Sequence, residues 1–196
     1  MVHSGTKYLS GHNDTIAGFV IVSDNKLSDR LRFLYKTTGA GLSPFDSWLL
    51  LRGIQTLSVR MDRAQENAQK LSEWLLSRAE VTKVLYPGLK EHPGYDVMKK
   101  QARGFGAMLT FDVKDKEIAQ RLLKNVQLIR FAESLGGTET LLTYPITQTH
   151  ADVPKDVLEK NGITERTLRM SVGIENVRDL IADLEEAFYV GEEFEF

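Results

Sequence analysis

The 196-residue sequence contains no cysteine, which excludes disulfide bonds and metal sites built from thiolates. It also lacks a long hydrophobic run. The most apolar stretch, residues 17–22, is far shorter than the about 20 residues that a membrane-spanning helix needs. No charged segment followed by an apolar one opens the chain, as a secretory signal would. These absences predict a cytoplasmic protein that does not contact a membrane.

An excess of charge of one sign is also missing. The 25 Lys and Arg residues nearly balance the 27 Asp and Glu residues, and the two signs are interspersed. Without a basic stripe to displace counterions from phosphates, a nucleic acid is not an expected partner. No metal is predicted either, because the four histidines include no pair at the helical i, i+4 spacing of a metal site.

The composition is that of a folded chain. Hydrophobic residues make up 42% of the sequence and only 5 residues are proline, so a sizeable core can form. The acidic tail, residues 191–196, is the exception. We expect it to be solvated or frayed and assign it no function.

The beginning of the sequence predicts a loop followed by a single strand. Residues 1–18 are polar and contain several glycines, which is typical of a loop, and the apolar run 19–22 predicts a strand covered on both faces. No second strand is predicted in the roughly fifty residues that follow. We therefore expect the strand's partner to come from far along the chain, from another subunit or from a missing segment.

A long helix is predicted to begin after Ser43, which has the features of an N-cap followed by Pro44 in the first turn. Apolar residues then recur with the 3.5-residue period of a coiled-coil seam or of a long helix on a core. They are Leu50, Ile54, Leu57, Met61, Ala64, Ala68, Leu71 and Leu75. The two alanines and the interruption at Gly53 favour core packing, and a homotypic coiled coil is the alternative.

From residue 81 onward, strands and helices alternate. Strands are predicted at 81–86, 107–113, 128–132, 140–143 and 168–172, and helices at 95–103, 116–125, 155–160 and 177–189. This order predicts a sheet covered by helices, in an α/β or α+β domain of about 110 residues.

Lys7 is a candidate for covalent chemistry because of its neighbours. A lysine that forms an imine must reach the neutral amine, which desolvation or a nearby positive charge favours. Ser4 and Thr6 are two residues apart, so in an extended segment their hydroxyls point the same way and can donate to one phosphate. An imine and a phosphate together indicate pyridoxal phosphate. By composition alone, a surface residue is the favoured interpretation of Lys7.

Residues 3–14 read H-S-G-T-K-Y-L-S-G-H-N-D, which is similar to the lysine signature H-S-x-T-K-Y-x-x-G-H-x-D. Further matching segments follow in order: S-P-F-D from Ser43, L-R-G-I-Q-T-L from Leu51, R-M from Arg60, Y-P-G-L from Tyr86, G-F-G-A-M from Gly104, A-E-S-L-G-G from Ala132, T-H-A from Thr149 and R-M-S-V-G-I-E from Arg169. Together they resemble the pyridoxal-phosphate enzymes of cysteine and methionine metabolism, from residue 2 to about residue 189.

The resemblance implies an α/β fold, namely the C-terminal part of the fold-type-I transferase fold. Residues 1–56 would be the end of the large cofactor-binding domain, and 57–196 the linking helix and the small-domain sheet with its helices. It implies that Lys7 holds pyridoxal 5′-phosphate as an imine and afterwards moves protons on the substrate. Ser4 and Thr6 would hold the phosphate.

The resemblance also implies a substrate site. Arg169 would bind the substrate α-carboxylate, which suits the bidentate geometry of a guanidinium, although a structural salt bridge is the alternative. Ser134 would approach Lys7 or the substrate carboxylate, and Thr149 would line the site. Glu133 stands where γ-specific members have Glu and some β-lyases have a large aromatic residue, which favours γ chemistry.

The implied function is formation or cleavage of a C–S bond of a small sulfur-containing amino acid, in transsulfuration or methionine metabolism. The resemblance does not decide between cystathionine γ-synthase, γ-lyase and β-lyase, methionine γ-lyase and sulfhydrylase.

In the family, an earlier half of the chain supplies the aspartate on the pyridine nitrogen and the ring that stacks on the cofactor. We therefore expect this chain alone to be inactive, and to work as a homo-oligomer or with the missing half. The alternative is a noncatalytic assembly module.

Overall fold

The computed structural model describes residues 1–189, so the acidic tail 191–196 lies outside the described residues. The chain divides into two compact units, Met1–Ser58 and Val59–Phe196. Its helices are α1 (Asn25–Thr38), α2 (Pro44–Gln55), α3 (Leu57–Leu76), α4 (Tyr95–Gln101), α5 (Lys116–Asn125), α6 (Lys155–Lys160) and α7 (Val177–Tyr189). Its strands are β1 (Val2–Ser4), β2 (Gly18–Val20), β3 (Val81–Leu85), β4 (Met108–Val113), β5 (Arg130–Phe131), β6 (Leu141–Thr143) and β7 (Thr167–Ser171). Among residues 1–189, no helix is long and apolar enough to cross a membrane.

The strand predicted at 19–22 pairs with a segment that the sequence indicated as loop. β2 lies antiparallel to β1, with Val2 opposite Val20 and Ser4 opposite Gly18. The prediction of a distant or missing partner was therefore wrong, because the strand's partner precedes it by fewer than twenty residues. The prediction of cover on both faces was also wrong within this chain, since Val20 is 59% exposed.

Helix α1 was not predicted. Asp24 caps it by accepting a hydrogen bond from the Leu27 amide at 2.7 Å, and Gly39 ends it with a φ of 68°. None of its residues is buried, so it has no apolar stripe facing a core within its own unit. Its sequence is nevertheless amphipathic, since Leu27, Leu31 and Leu34 recur at helical spacing.

The long helix predicted after Ser43 is two helices. Ser43 caps α2 as expected, accepting a hydrogen bond from the Asp46 amide at 3.0 Å, but the helix ends at Thr56, where φ is −105°. The stripe continues in α3, where Ala64, Ala68, Leu71 and Leu75 are buried. The structure thus favours core packing for the second half of the stripe, whereas Ile54 in the first half is exposed.

The second unit is built on a mixed five-stranded sheet with the order β3-β4-β7-β6-β5. Its neighbours are antiparallel except for the parallel pair β5 and β6. In the central strand β7, Leu168 and Met170 are fully buried on one face while Arg169 and Ser171 lie on the other. The strand therefore separates an apolar face from a polar face that carries Arg169.

Helices cover the apolar part of this unit, as predicted. α5 contacts both β4 and α7, and Trp74 of α3 lies 6.2 Å from the Phe188 ring of α7. The observed bounds of α5, α6 and α7 are those expected from the sequence. The result is an α/β arrangement in which the sheet presents Arg169 from its central strand.

Removing the N-cap of α5 should cost a modest amount of stability. The Asp115 carboxylate accepts a hydrogen bond from the Ile118 amide at 2.8 Å. We expect Asp115→Ala to lower the free energy of unfolding by about 1 kcal/mol, because the exposed cap satisfies one otherwise unpaired amide of the first turn. Urea unfolding followed by Trp74 fluorescence in a Trp48→Phe background measures this. Asp115→Asn, which keeps an acceptor, should change little, and equal losses for both variants would contradict the capping role.

Candidate functional site

Lys7 lies in a helical turn, Gly5–Leu9, that directly follows β1. The amides of Gly5 and Thr6 both donate to the Ala17 carbonyl, at 2.7 and 3.1 Å. Lys7 has φ −91° and ψ −128°, which departs from helical geometry and kinks the turn at the lysine. Its side chain is half-buried. The Lys7 amine therefore projects from the residue at which the helical turn is kinked.

Helix α2 packs against this turn. A Cβ on Gly53 would lie 2.1 Å from the Ser10 carbonyl oxygen, so only glycine allows the two backbones to approach so closely. Gly53, which interrupts the apolar stripe in the sequence, lies within α2 and provides the surface that contacts Ser10. The Gly11 amide also donates to the Lys7 carbonyl at 2.8 Å, which fixes the lysine backbone.

Ser4 and Thr6 do not share the extended conformation from which their common direction was inferred. Ser4 is extended and exposed at the end of β1, whereas Thr6 belongs to the helical turn. The Thr6 hydroxyl accepts from the Ala17 amide at 2.9 Å and donates to the Ala17 carbonyl at 3.2 Å. Thr6 would have to give up this second bond to donate to a phosphate, so in this structure Ser4 has the better placed hydroxyl.

The Lys7 amine fits the lysine that the resemblance implies. Within residues 1–189 it makes no ion pair or hydrogen bond, although it is half-buried. A structural lysine in such a position normally has a carboxylate or carbonyl partner. An amine without a counter-ion, three residues after Ser4 in the sequence, suits attachment of a carbonyl compound that bears a phosphate.

The second group of predicted residues lies in the other unit, around Arg169 on β7. One guanidinium nitrogen, Nη2, donates to the Ser134 carbonyl and to the Thr143 hydroxyl, each at 3.2 Å. Nε is buried and has no hydrogen-bond partner among residues 1–189. Because its hydrogen-bond partners are neutral oxygens, the guanidinium retains donors for a carboxylate. No structural salt bridge to Arg169 is present in this part of the chain.

Burial lowers the pKa of Arg169 from its ordinary value, and the negative charge of Glu133 acts in the opposite direction. The guanidinium stays protonated at physiological pH because its ordinary pKa is so high. Desolvation therefore costs free energy without discharging the group, and a carboxylate that joined it would offset part of this cost. Glu133 itself is exposed, so it supplies a long-range field and not a direct ion pair.

The structure brings the Ser134 backbone carbonyl to Arg169. The carbonyl is the acceptor, and the serine's φ of 149° is rare for a residue with a side chain. Thr149 follows the turn after β6, and its hydroxyl lies 2.8 Å from Nδ1 of His150. Ser134 and Glu133 thus belong to the surroundings of Arg169, and Thr149 is half-buried with His150 as its partner.

Thr143 is a site residue that the sequence did not indicate. It is opposite Arg169 in the β6–β7 register and only 1% exposed. Its hydroxyl donates to the Ala132 carbonyl at 3.0 Å, which leaves its lone pairs available to the guanidinium. Without the strand pairing, a threonine at the end of a predicted strand carries no functional signal.

A buried network joins the loop after β5 to the segment after β7. Thr140 donates to the Glu175 carboxylate from its amide at 2.5 Å and from its hydroxyl at 2.8 Å, and it accepts from the Gly173 amide at 2.9 Å. The Asn67 side chain of α3 donates to the carbonyls of Gly173 and Glu175 at 3.1 and 2.8 Å. These bonds hold the loop that carries Ser134.

Among residues 1–189, no group of three or more acidic or histidine side chains is arranged to hold a metal ion.

Comparison with known proteins gives a consistent result. A family profile described as Cys/Met metabolism PLP-dependent enzyme matches residues 1–189. The chain is 44% identical over 187 residues to a cystathionine β-lyase of Lactococcus lactis subsp. cremoris strain MG1363, covering 95% of this chain and 49% of that protein. It is 47% identical over 188 residues to a cystathionine γ-synthase of Haemophilus influenzae, covering 96% of this chain and 47% of that protein. The chain therefore spans about half the length of the curated relatives it matches.

Solved structures agree with these relatives. A cystathionine γ-lyase from Lactobacillus plantarum, complexed with L-serine, matches with a TM-score of 0.90 and 40% identity over 95% of this chain and 49% of that one. A cystathionine γ-synthase from Xanthomonas oryzae pv. oryzae, complexed with cystathionine, matches with a TM-score of 0.90 and 38% identity over the same shares. With its lysine turn, its sheet arginine and a profile match that runs from residue 1 to residue 189, the chain belongs to the PLP-dependent enzymes of Cys/Met metabolism.

Proposed function

We propose that the chain is the part of a cytoplasmic, homo-oligomeric pyridoxal-phosphate enzyme that forms or cleaves a C–S bond of a sulfur-containing amino acid. The observation that carries the proposal is the Arg169 guanidinium, half-buried on a sheet face and hydrogen-bonded only to neutral oxygens within residues 1–189. Residues 1–56 would then end the cofactor-binding domain, and 57–196 would form the linking helix and small domain. The division into two compact units near residue 58 supports this assignment.

Three residues of this chain would bind the cofactor and the substrate and move protons. Bound pyridoxal phosphate supplies an electron sink that weakens bonds at the substrate's α-carbon. The Lys7 amine would attach the cofactor and then accept and return protons at the substrate carbons, while the Ser4 hydroxyl donates to the phosphate. Arg169 would bind the substrate α-carboxylate in a fork and so orient the α-carbon.

Within the family we favour a reaction at the γ-carbon. Glu133 is the residue that supports this choice, since it is exposed and available to a substrate amino group or hydroxyl. Overall similarity does not separate the reactions, because relatives at 42–47% identity include cystathionine β-lyases, a γ-synthase, a γ-lyase and an L-methionine γ-lyase. The products of cystathionine cleavage distinguish reaction at the γ-carbon from reaction at the β-carbon: γ cleavage releases cysteine, and β cleavage releases homocysteine.

The attachment residue can be tested by chemical trapping. The complete enzyme, meaning this chain with a polypeptide equivalent to the other half of its relatives, is loaded with pyridoxal phosphate, reduced with borohydride and digested. We expect the pyridoxyl group on the peptide that contains Lys7. Labelling of exposed lysines such as Lys83 serves as the measure of nonspecific reaction, and labelling no stronger at Lys7 than at Lys83 would contradict the proposal.

The isolated chain should show no measurable turnover. In the family, the aspartate on the pyridine nitrogen and the ring stacked on the cofactor come from the half that this chain does not span, so the cofactor would be a poor electron sink here. Release of ammonia or a 2-oxo acid from cystathionine is the assay. Steady-state release at a rate typical of enzymes, about 1 per second or more, would contradict this prediction.

An assembly role is a second candidate, and the surface of the first unit favours it. In Met1–Ser58, Leu50 is the only buried large apolar side chain. The exposed ones include Ile16, Val20, Ile21, Leu27, Phe33, Leu34, Tyr35, Phe45, Trp48, Leu51 and Ile54. So much exposed apolar surface is typical of an interface that another polypeptide covers. Because the relatives are about twice as long, we propose that the polypeptide equivalent to their other half covers it.

Tryptophan fluorescence tests this occupant. Trp48 is 52% exposed, and a Trp74→Phe variant makes it the only tryptophan of the two in the sequence. We expect mixing with the separately produced other half to shift Trp48 emission to the blue. A shift that depends only on this chain's own concentration would instead identify a second copy as the partner and contradict the proposed occupant.

A further inference from the structure

Two hydrogen bonds join the segment that carries Ser134 to side chains of β7. Arg169 and Ser171 are two residues apart in the strand, so they lie on the same face of the sheet. Across them, the Ser134 carbonyl accepts from Arg169 at 3.2 Å and the Gly136 amide donates to the Ser171 hydroxyl at 2.8 Å. Residue 134 is thus bonded to residue 169 and residue 136 to residue 171, with the same two-residue spacing in both segments.

This pairing requires unusual backbone conformations. Ser134 has a φ of 149° and Gly136 a φ of 79°. A positive φ is strained for serine, and such strain persists only where the surroundings hold it in place. The Ser171 hydroxyl is 2% exposed and Gly136 is buried, so the Gly136 amide could not turn to water instead.

Farther along, the loop is held by other bonds. The Ile174 amide donates to the Thr138 carbonyl at 2.8 Å, and Thr140 is bound to Glu175. A Cβ on Gly173 would lie 2.2 Å from the Thr138 carbonyl oxygen, so the two segments are in close contact there. Before Ser134, Ala132 is held by β6, through its amide to the Leu142 carbonyl and its carbonyl to the Thr143 hydroxyl. After Ser134, the contact of Gly136 with Ser171 is the nearest one in sequence, so it fixes the other end of the segment that directs the Ser134 carbonyl.

We propose that Ser171 is a positioning residue for Arg169. By holding the Gly136 amide, it keeps the Ser134 carbonyl against Nη2 of the guanidinium. Nη2 is then occupied and the guanidinium is oriented, so that its remaining donors face an incoming carboxylate. This inference rests on the proposed role of Arg169 as the group that binds the substrate carboxylate.

The test uses Ser171→Ala in the complete enzyme. We expect KM for the amino-acid substrate to rise about tenfold while kcat changes much less, because a hydrogen bond that orients a binding group is lost. The visible absorbance of the bound cofactor should be unchanged. Amide hydrogen exchange at Gly136, measured on this chain without cofactor, should become faster.

Thr167→Val is the matched control. Thr167 lies on the same strand and the same face, is 3% exposed, and its hydroxyl donates to the Asp112 carboxylate at 2.7 Å. This variant also removes a buried hydroxyl from β7 but leaves the 134–136 segment intact. We expect its KM and its Gly136 exchange to stay at the wild-type values even if its Tm falls. Equal changes in KM for both variants would show a general effect on the strand and would overturn the proposal.

Arg169→Lys, measured in parallel, separates this inference from the proposed function. If Arg169→Lys raises KM and Ser171→Ala does not, Arg169 binds the carboxylate but Ser171 does not position it, and the inference is wrong. If Arg169→Lys leaves KM unchanged, the proposed role of Arg169 fails and the inference fails with it. Support requires that both variants raise KM and that Gly136 exchange is faster in Ser171→Ala.

Discussion

Lys7→Ala should abolish turnover of the complete enzyme. The variant removes the amine that would attach the cofactor and move protons, and general acid–base catalysis by one group alone contributes about 10²- to 10⁴-fold. The fold should persist, because the bonds that shape the turn come from backbone atoms, including the Lys7 carbonyl that accepts from the Gly11 amide at 2.8 Å. The measurements are steady-state release of 2-oxo acid and the circular dichroism spectrum of the same preparation.

Lys83→Ala is the control for the loss of a lysine as such. Lys83 is exposed on β3, so its removal should leave both turnover and cofactor absorbance at the wild-type level. If Lys7→Ala retained turnover, the attachment role would belong to another lysine. A Lys7→Ala preparation that lost its circular dichroism signal would show instead that Lys7 supports the fold.

Arg169→Lys should weaken binding of the amino acid far more than binding of the cofactor. Lysine keeps the positive charge but loses the planar two-pronged geometry that matches a carboxylate. It also cannot reproduce the contacts of Nη2 with Ser134 and Thr143. We expect a loss of about 2 to 4 kcal/mol in transition-state stabilisation, comparable with the loss of a buried charged hydrogen-bonded pair. KM, Tm and cofactor absorbance are measured on one preparation.

The chain offers an arginine with a structural role as the control. Arg121 of α5 donates from Nη1 to the Phe188 carbonyl of α7 at 2.9 Å. We expect Arg121→Lys to lower Tm and leave KM nearly unchanged. If Arg169→Lys gave this same pattern, Arg169 would be a structural residue and would be removed from the site.

The sequence was most informative where a local signal coincided with burial. Helix α5, which buries Ile118, Ala119 and Leu122, was predicted at its observed bounds. The sequence was least informative in the first unit. There, β1 is three exposed residues long and shows no alternation of core and surface residues, and α1 was not predicted although its sequence is amphipathic.

The candidate site shows the same division. Lys7 and Arg169 are identified by the sequence motifs that surround them, together with the chemistry that an amine and a guanidinium perform. Three hydrogen bonds of the site join residues that lie 26 to 35 positions apart in the sequence: Arg169 to the Ser134 carbonyl, Arg169 to Thr143, and Gly136 to Ser171. No local pattern encodes such contacts, because they exist only once β6 and β7 have paired.

By itself, the sequence determined the family, the candidate residues for the chemistry and the bounds of α5, α6 and α7, because periodicity and motifs are properties of neighbouring residues. Only the tertiary structure decided that β2 pairs with β1, that the predicted long helix ends at Thr56, and that Thr6 binds Ala17. It also decided which oxygens surround Arg169. Apart from the end of the helix at Thr56, these features depend on polar groups that are distant in sequence, and such hydrogen bonds form only when the whole fold has packed.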